Sequence, residues 1–212
     1  MGYVVIVGGG NFGKELVKRF VNEGWKVTLI DTDPNVCKEV TETYGIRTVN
    51  GDGTDPEILD KVEVEKADIF IAATPKDEIN ILSGFLAREK EAKKIVVRIS
   101  NKSYGKILEK AGFEYILPEE TSADFLFEKI FHPNIKNFWR FSDFYFIEID
   151  VNKNLTIIGK KLKELNSDKV KVLLYKKDKL RKYKPDEIIT EGMKIYIISK
   201  LEPIDLIKKW EA

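Results

Sequence analysis

The sequence predicts an α/β chain: a parallel sheet wound between helices, a crossover helix after it, and a second, small α+β domain. Three observations carry that expectation. Apolar runs rich in Val and Ile alternate with helical stripes from Tyr3 to Leu117, the mark of βαβ units whose strands are buried on both faces. A glycine-rich turn stands between the first strand and the first helix, at the carboxyl edge where a parallel sheet has its crevice. After Pro118 the alternation gives way to an aromatic-rich helix and then to strand-like segments of a separate module.

The elements follow in order. Residues 3 to 8 (YVVIVG) form the first strand, and a helix begins near Asn11 with Phe12, Leu16, Val17 and Phe20 on its inward stripe. Gly24 stops that helix, and Trp25 to Asp31 is the second strand. Pro34 opens a helix to about Tyr44, Thr48 to Asn50 is a short third strand, and a short helix runs from about Asp55 to Val62. Strand Asp68 to Ala73, helix Asp77 to Glu89, strand Lys94 to Ile99, helix Lys102 to Ala111 and strand Tyr115 to Leu117 complete the series. Glu119 to Phe131 reads as a helix carrying Phe125, Phe127 and Phe131, with further aromatics to Phe146. The first domain's sheet is already covered, so this surplus needs another surface. From about Phe144 the expected order is strand, helix (Lys160 to Leu165), strand (Lys169 to Lys176), strand (Lys194 to Ser199) and a terminal helix from about Pro203. The expected domains are therefore 1–142 and 143–212.

Composition narrows the function. With 36 basic and 35 acidic residues the formal net charge is +1, which argues against a dedicated nucleic-acid binder. No apolar run reaches the roughly 20 residues needed to cross a bilayer, and the N-terminus enters a strand without the pattern of a secretory signal. The single cysteine, Cys37, fits a reducing cytoplasm, where the Asn-x-Ser/Thr matches at Asn101 and Asn154 have no meaning as glycan sites. The high charged fraction, 33%, resembles thermophile surfaces.

Gly8, Gly10 and Gly13 spell G-x-G-x-x-G between a strand and a helix. The first permits a tight turn, the second lets the backbone approach a pyrophosphate, and the third lets the helix pack closely on the strand. The helix N-terminus, at Asn11 and Phe12, then offers free N–H groups and a partial positive charge to phosphates. Asp31 ends the second strand about 20 residues on, where a ribose-binding carboxylate belongs. The context makes this a Rossmann-type dinucleotide site. Asp31 and Asp33 would repel a 2′-phosphate, so NAD is expected over NADP, while ATP, ADP and AMP satisfy the same groups. Asp33 also reads as a plain helix start before Pro34. Thr32 adjoins the carboxylate, Asp52, Gly53 and Thr54 follow the third strand, Ala73 and Thr74 the fourth, and Arg98 ends the fifth. All lie on the expected cofactor edge. Thr54 reads equally as a helix cap, and Thr74 and Arg98 as ordinary loop chemistry and a solvated charge.

These residues resemble the regulators of potassium conductance, the RCK or KTN family typified by the regulatory proteins of Trk potassium-uptake systems. VIVGGGNFGKELVKRF, the Asp31 turn, NGDGTDPEIL, the strand end Ala72 to Thr74, Asn80 and VRI at Arg98 fall in the family's order. The C-terminal part resembles the family's small ligand-responsive domain through Gly159 to Leu162 with Leu165, the Pro185 to Ile189 turn, and Glu191 to Met193 before KIYII. It departs from that pattern at Met193, where the family has Asp, and at Lys176, where Arg is common. The resemblance implies no chemistry on the ligand and no catalytic or metal-ligating residue. It implies binding of NAD(H), or of ATP, ADP or AMP. It further implies a homodimer or higher ring that embraces through Pro118 to Phe146, acting on a Trk-type membrane potassium transporter. Such a protein would be cytoplasmic, peripheral to the inner face of the membrane.

Two other classes compete. An NAD-dependent oxidoreductase would share the glycine fingerprint, yet the one histidine, His132, reads as a packing or capping residue. The Tyr-x-x-x-Lys matches Tyr175 with Lys179 and Tyr196 with Lys200 sit at strand ends in the small domain, away from any cofactor helix. A nucleotide-sensing repressor would want a winged helix ahead of the fingerprint. The stretch Lys160 to Lys184, with 11 basic and 3 acidic residues, reads as a solvated face or as a pocket for an anionic second ligand.

Overall fold

The computed structural model describes residues 2–141 and 143–211, the side chain of Glu128 excepted. Its contacts divide the chain into two compact units, Met1–Thr121 and Ser122–Ala212.

The first unit holds a six-stranded parallel sheet of order β3-β2-β1-β4-β5-β6, with β1 Tyr3–Val7, β2 Lys26–Asp31, β3 Arg47–Asn50, β4 Ile69–Ala72, β5 Ile95–Arg98 and β6 Glu114–Ile116. Between them run α1 Asn11–Asn22, α2 Pro34–Tyr44, α3 Pro56–Lys61, α4 Asp77–Glu89 and α5 Gly105–Lys110. β1 is buried along its whole length, and its side chains serve two cores by turns. Val4 and Ile6 pack with Val17 of α1 and Val40 of α2. Val5 and Val7 face the other way, with Leu59, Ala87 and Leu108 of α3, α4 and α5. This two-sided burial is why the strands read as unbroken apolar runs. The expected helix over Lys102–Ala111 is split into a 3-10 turn, Lys102–Tyr104, and α5. The Asn101 side chain, accepting from Ser103 N at 3.0 Å, tightens that first turn.

α6 spans Pro118–Phe131. The second unit is an antiparallel sheet of order β10-β9-β11-β8-β7, made of β7 Ile135–Phe141, β8 Phe144–Asp150, β9 Val170–Lys176, β10 Leu180–Lys182 and β11 Lys194–Ser199, followed by α7 Pro203–Ile207. One face buries Ile147, Ile149, Val172, Ile195 and Ile197 against Leu162, Leu165 and Leu206. The other carries a row of rings, Trp139–Phe146 at 5.6 Å and Phe146–Tyr196 at 6.3 Å.

Two expectations differ from this architecture. β7 and β10 are strands that the sequence pattern does not announce. The helix expected over Lys160–Leu165 is only a 3-10 turn, Leu162–Leu165, because Lys161 is extended and bridges Ile188 antiparallel, with the Lys160 carbonyl accepting from Ile189 N at 2.9 Å. The expected boundary between 142 and 143 falls on a residue outside the described ones.

Candidate functional site

In the first unit β1 pairs with both β2 and β4, so the chain winds outward in opposite directions from that point. A crevice opens at the carboxyl ends of such neighbours. The β1–α1 turn fills one lip. Gly8 has φ +100° and donates its N–H to Ile30 O at 2.8 Å, a conformation that side chains resist. A methyl group on Gly13 would stand 1.9 Å from Gly8 O, and one on Gly10 would meet nothing within 4 Å. Gly13 therefore packs helix on strand, while Gly10 leaves the helix end open. α1 begins with neither a side-chain cap nor an acidic residue in its first turn. Its orphan N–H groups and positive dipole end are thus left to a ligand or water.

Asp31 stands opposite. Its Oδ2 accepts from Gly9 N at 2.6 Å and its Oδ1 from Asp33 N at 2.8 Å, so the carboxylate braces the glycine turn. Each oxygen keeps a further lone pair for an incoming hydroxyl. Asn50 Nδ2 donates to Asp31 O at 3.0 Å and Thr32 O at 2.9 Å, fixing the end of β2. Cys37 Sγ lies 3.6 Å from Asp31 O, and burial followed by the Asp31 charge pushes its thiol above the usual range. Asp33 accepts from Asn35 N at 2.8 Å and caps α2, the plainer of its two readings.

Gly8, Asp31, Thr32, Asp52, Gly53 and Thr74 line one narrow cleft together with Val7, Ile30 and Ile79. Gly53 is needed there, since a methyl would come within 2.3 Å of Val7 Cγ1. Thr54 does not cap α3. Asp55 does, accepting from Glu57 N at 2.9 Å, while Thr54 donates through N and Oγ1 to Asp52 Oδ1, both at 2.8 Å. Ala73 is buried in the core under α1 and α2 and supports the cleft from behind. Arg98 is mostly buried, lies 5.5 Å over the Phe12 ring, and is ion-paired with Glu119.

Asn80 was legible only as part of the family's order, and its place is central. It is fully buried. Its Oδ1 accepts from Thr74 N at 2.9 Å and Thr74 Oγ1 at 2.7 Å, and its Nδ2 donates to Thr74 O at 2.8 Å and Arg98 O at 2.9 Å. One amide thus ties the ends of β4 and β5. Asp77, also buried, does the same for the next loop by accepting from Ser100 N at 2.8 Å and Asn101 N at 2.9 Å. The signal for both was a polar residue on the inward face of α4, where an apolar one would be ordinary.

In the second unit His132 is buried with Nδ1 3.3 Å from Glu211 Oε2, and Tyr175 bonds Glu187 at 3.2 Å. Of the basic stretch, Lys161 and Lys163 both meet Asp186, and Lys177 meets Glu187.

The family model of the TrkA-N domain matches residues 4–119. A Trk system potassium uptake protein TrkA homolog of Methanothermobacter thermautotrophicus is 30% identical over 207 residues, 95% of each chain. The chain belongs to the TrkA family. A homolog of the same description from Pyrococcus abyssi is 27% identical over 218 residues, covering 98% of this chain and 96% of the relative. Among solved structures, the GsuK channel superposes with a TM-score of 0.69 at 15% identity over 98% of this chain, which spans 39% of the channel chain. The GsuK channel bound to NAD gives 0.64 at 15% identity, covering 93% of this chain and 37% of that one. At such identity these likenesses show the fold alone. The TrkA relatives carry the names of uptake proteins rather than enzymes.

Proposed function

We propose that this TrkA-family chain is the nucleotide-sensing regulatory subunit of a potassium-uptake system. It takes NAD(H), or an adenine nucleotide, at the crevice between β1 and β4 and sets the activity of a membrane potassium transporter. The observation that carries the reading is the uncapped N-terminus of α1 opposite the Asp31 carboxylate, in a chain matched to a TrkA homolog over nearly its whole length. In this reading the pyrophosphate rests on the N–H groups from Gly10 to Gly13, the adenosine ribose diol bonds Asp31, and the Asp52–Thr54 and Thr74 loops close the cleft. Residues 1–142 bind, and 143–212 respond. No helix among the described residues is long and apolar enough to cross a membrane. The regulator acts on a transporter from the cytoplasmic face, as a dimer or larger ring.

Ligands that regulate must bind two arrangements of the oligomer unequally, because equal affinities shift nothing. The usual coupling is about 1–3 kcal/mol. The test is rubidium influx in cells lacking potassium uptake, with the candidate transporter expressed alone, with this chain, or with its Gly10→Asp variant. Position 10 has room for a side chain, so the variant should fold while placing a carboxylate against the phosphates. Influx should depend on the wild-type chain and lose that dependence in the variant. Equal influx in all three would defeat the proposal.

A further inference from the structure

We infer that Glu119 is a built-in competitor for the phosphate-binding arginine, and so a specificity-determining residue for ligand charge. The inference rests on the nucleotide reading of the crevice and adds a residue to it. Arg98 ends β5 with its backbone held, since its carbonyl accepts from the buried Asn80 amide that also grips Thr74. The long side chain is the part left to move. It lies across the ring of Phe12, in the first turn of α1, within a turn of the N–H groups that would face phosphate. Its ion-pair partner is Glu119, in the first turn of α6. A guanidinium therefore stands between a carboxylate already present and an anion yet to arrive.

Exchange between the two is easy for three reasons. Glu119 is 58% exposed, and ion pairs with one end in water are weak. Once released, its carboxylate is not stranded, because it stays at a helix N-terminus, where negative charge is favoured. The first turn of α6 does not depend on the Arg98–Glu119 pair, because the Thr121 N–H donates to Leu117 O at 3.0 Å. A phosphate offers the fork of Arg98 a bidentate partner of higher charge. More phosphate charge on the ligand thus means more complete capture of Arg98 from Glu119.

The experiment is a calorimetric double-mutant cycle with ADP and adenosine as probes on the full chain. Arg98→Gln should weaken ADP about ten-fold or more, the size of a lost hydrogen bond between charged groups. Glu119→Gln should tighten ADP about two- to five-fold, the size of an exposed ion pair, and leave adenosine unchanged. In the Arg98→Gln background the Glu119→Gln gain should vanish, since a competitor without its prize has no effect. Glu119→Ala, checked for folding by circular dichroism, should repeat the Gln result. Wild-type protein that binds neither ADP nor NADH would refute the nucleotide site itself. Wild-type binding of ADP with no gain in either Glu119 variant, or with a gain that persists without Arg98, would overturn this inference alone.

Discussion

Replacing Asp31 by Ala removes a carboxylate with a structural duty and, on the proposed function, a ligand-binding one, and their sizes can be separated. Within the protein it accepts from Gly9 N at 2.6 Å and Asp33 N at 2.8 Å. Both are charge-assisted bonds near a partly exposed turn, so water can replace part of what is lost. A cost of about 1–2 kcal/mol in stability follows, toward the low end of the range for bonds to charged groups. Toward the ligand, the loss is the pair of ribose hydroxyl bonds, about 1–3 kcal/mol, or roughly 5- to 150-fold in the NAD dissociation constant. Asp31→Asn divides the two effects. Its amide oxygen can still accept from Gly9 N, whereas the negative charge that discriminates against a 2′-phosphate is gone. The Asn variant should therefore melt between wild type and the Ala variant, since its amide nitrogen cannot accept from Asp33 N, bind NAD less tightly, and narrow the gap between NAD and NADP. Titration calorimetry with both dinucleotides, alongside thermal melts, reads all three quantities. A folded Asp31→Ala protein with wild-type NAD affinity would refute the assignment of Asp31 to the ribose.

Three further outcomes are expected. Gly13→Ala forces a methyl against the Gly8 carbonyl oxygen, and chemical denaturation should show a loss of about 1–3 kcal/mol or more, the range for overpacked cores; unchanged stability would mean that α1 slides freely on β1. Burial alone would raise the Glu148 carboxyl, but hydrogen bonds from Lys194 and Asn137 outweigh it and hold it below the ordinary glutamate value. That stabilisation is complete above the unfolded-state value and fades as pH falls through the lower folded one, so Glu148→Gln should cost stability near neutrality and flatten the acid limb of a pH-dependent melt. Finally, α6 exposes Phe125, Leu126, Phe127, Ile130 and Phe131, and full burial of each such side chain is worth roughly 1.5–3 kcal/mol; sedimentation should find a dimer or larger, and a well-folded monomer at micromolar concentration would remove this surface from the proposal.

The first unit was legible because its strands are buried on both sides and its turns are spelled by Gly, Asp and Pro. α2 and α4 fall on the expected residues, and the strands differ from expectation by a residue or so at their ends. The geometry of the candidate site was legible where a motif carries it, as at Gly8, Gly13 and Asp31. Asn80 and Asp77 were harder to assign because their roles depend on which loops the sheet order brings beside α4, and spacing along the chain does not encode that. β7 was obscured by its own aromatics. Ile135 is buried while Trp139 and Phe141 are largely exposed, so the strand lacks the clean two-sided contrast that periodicity detects. β10, three exposed residues paired with the end of β9, carries no apolar signal at all.

The contact between Gly13 and the Gly8 carbonyl makes α1 a fixed post. A helix seated this closely on the strand before it has little room to tilt toward it, so an anion landing on its end would meet a surface slow to recoil. Stiffness of that kind separates holding from signalling. On the proposed function every ligand sharing a diphosphate would be gripped alike at the post, and differences among them would register at the softer parts around it, in side chains and loop ends. A family built on such a post can change what it senses by altering a few residues at the rim while the grip stays as it is.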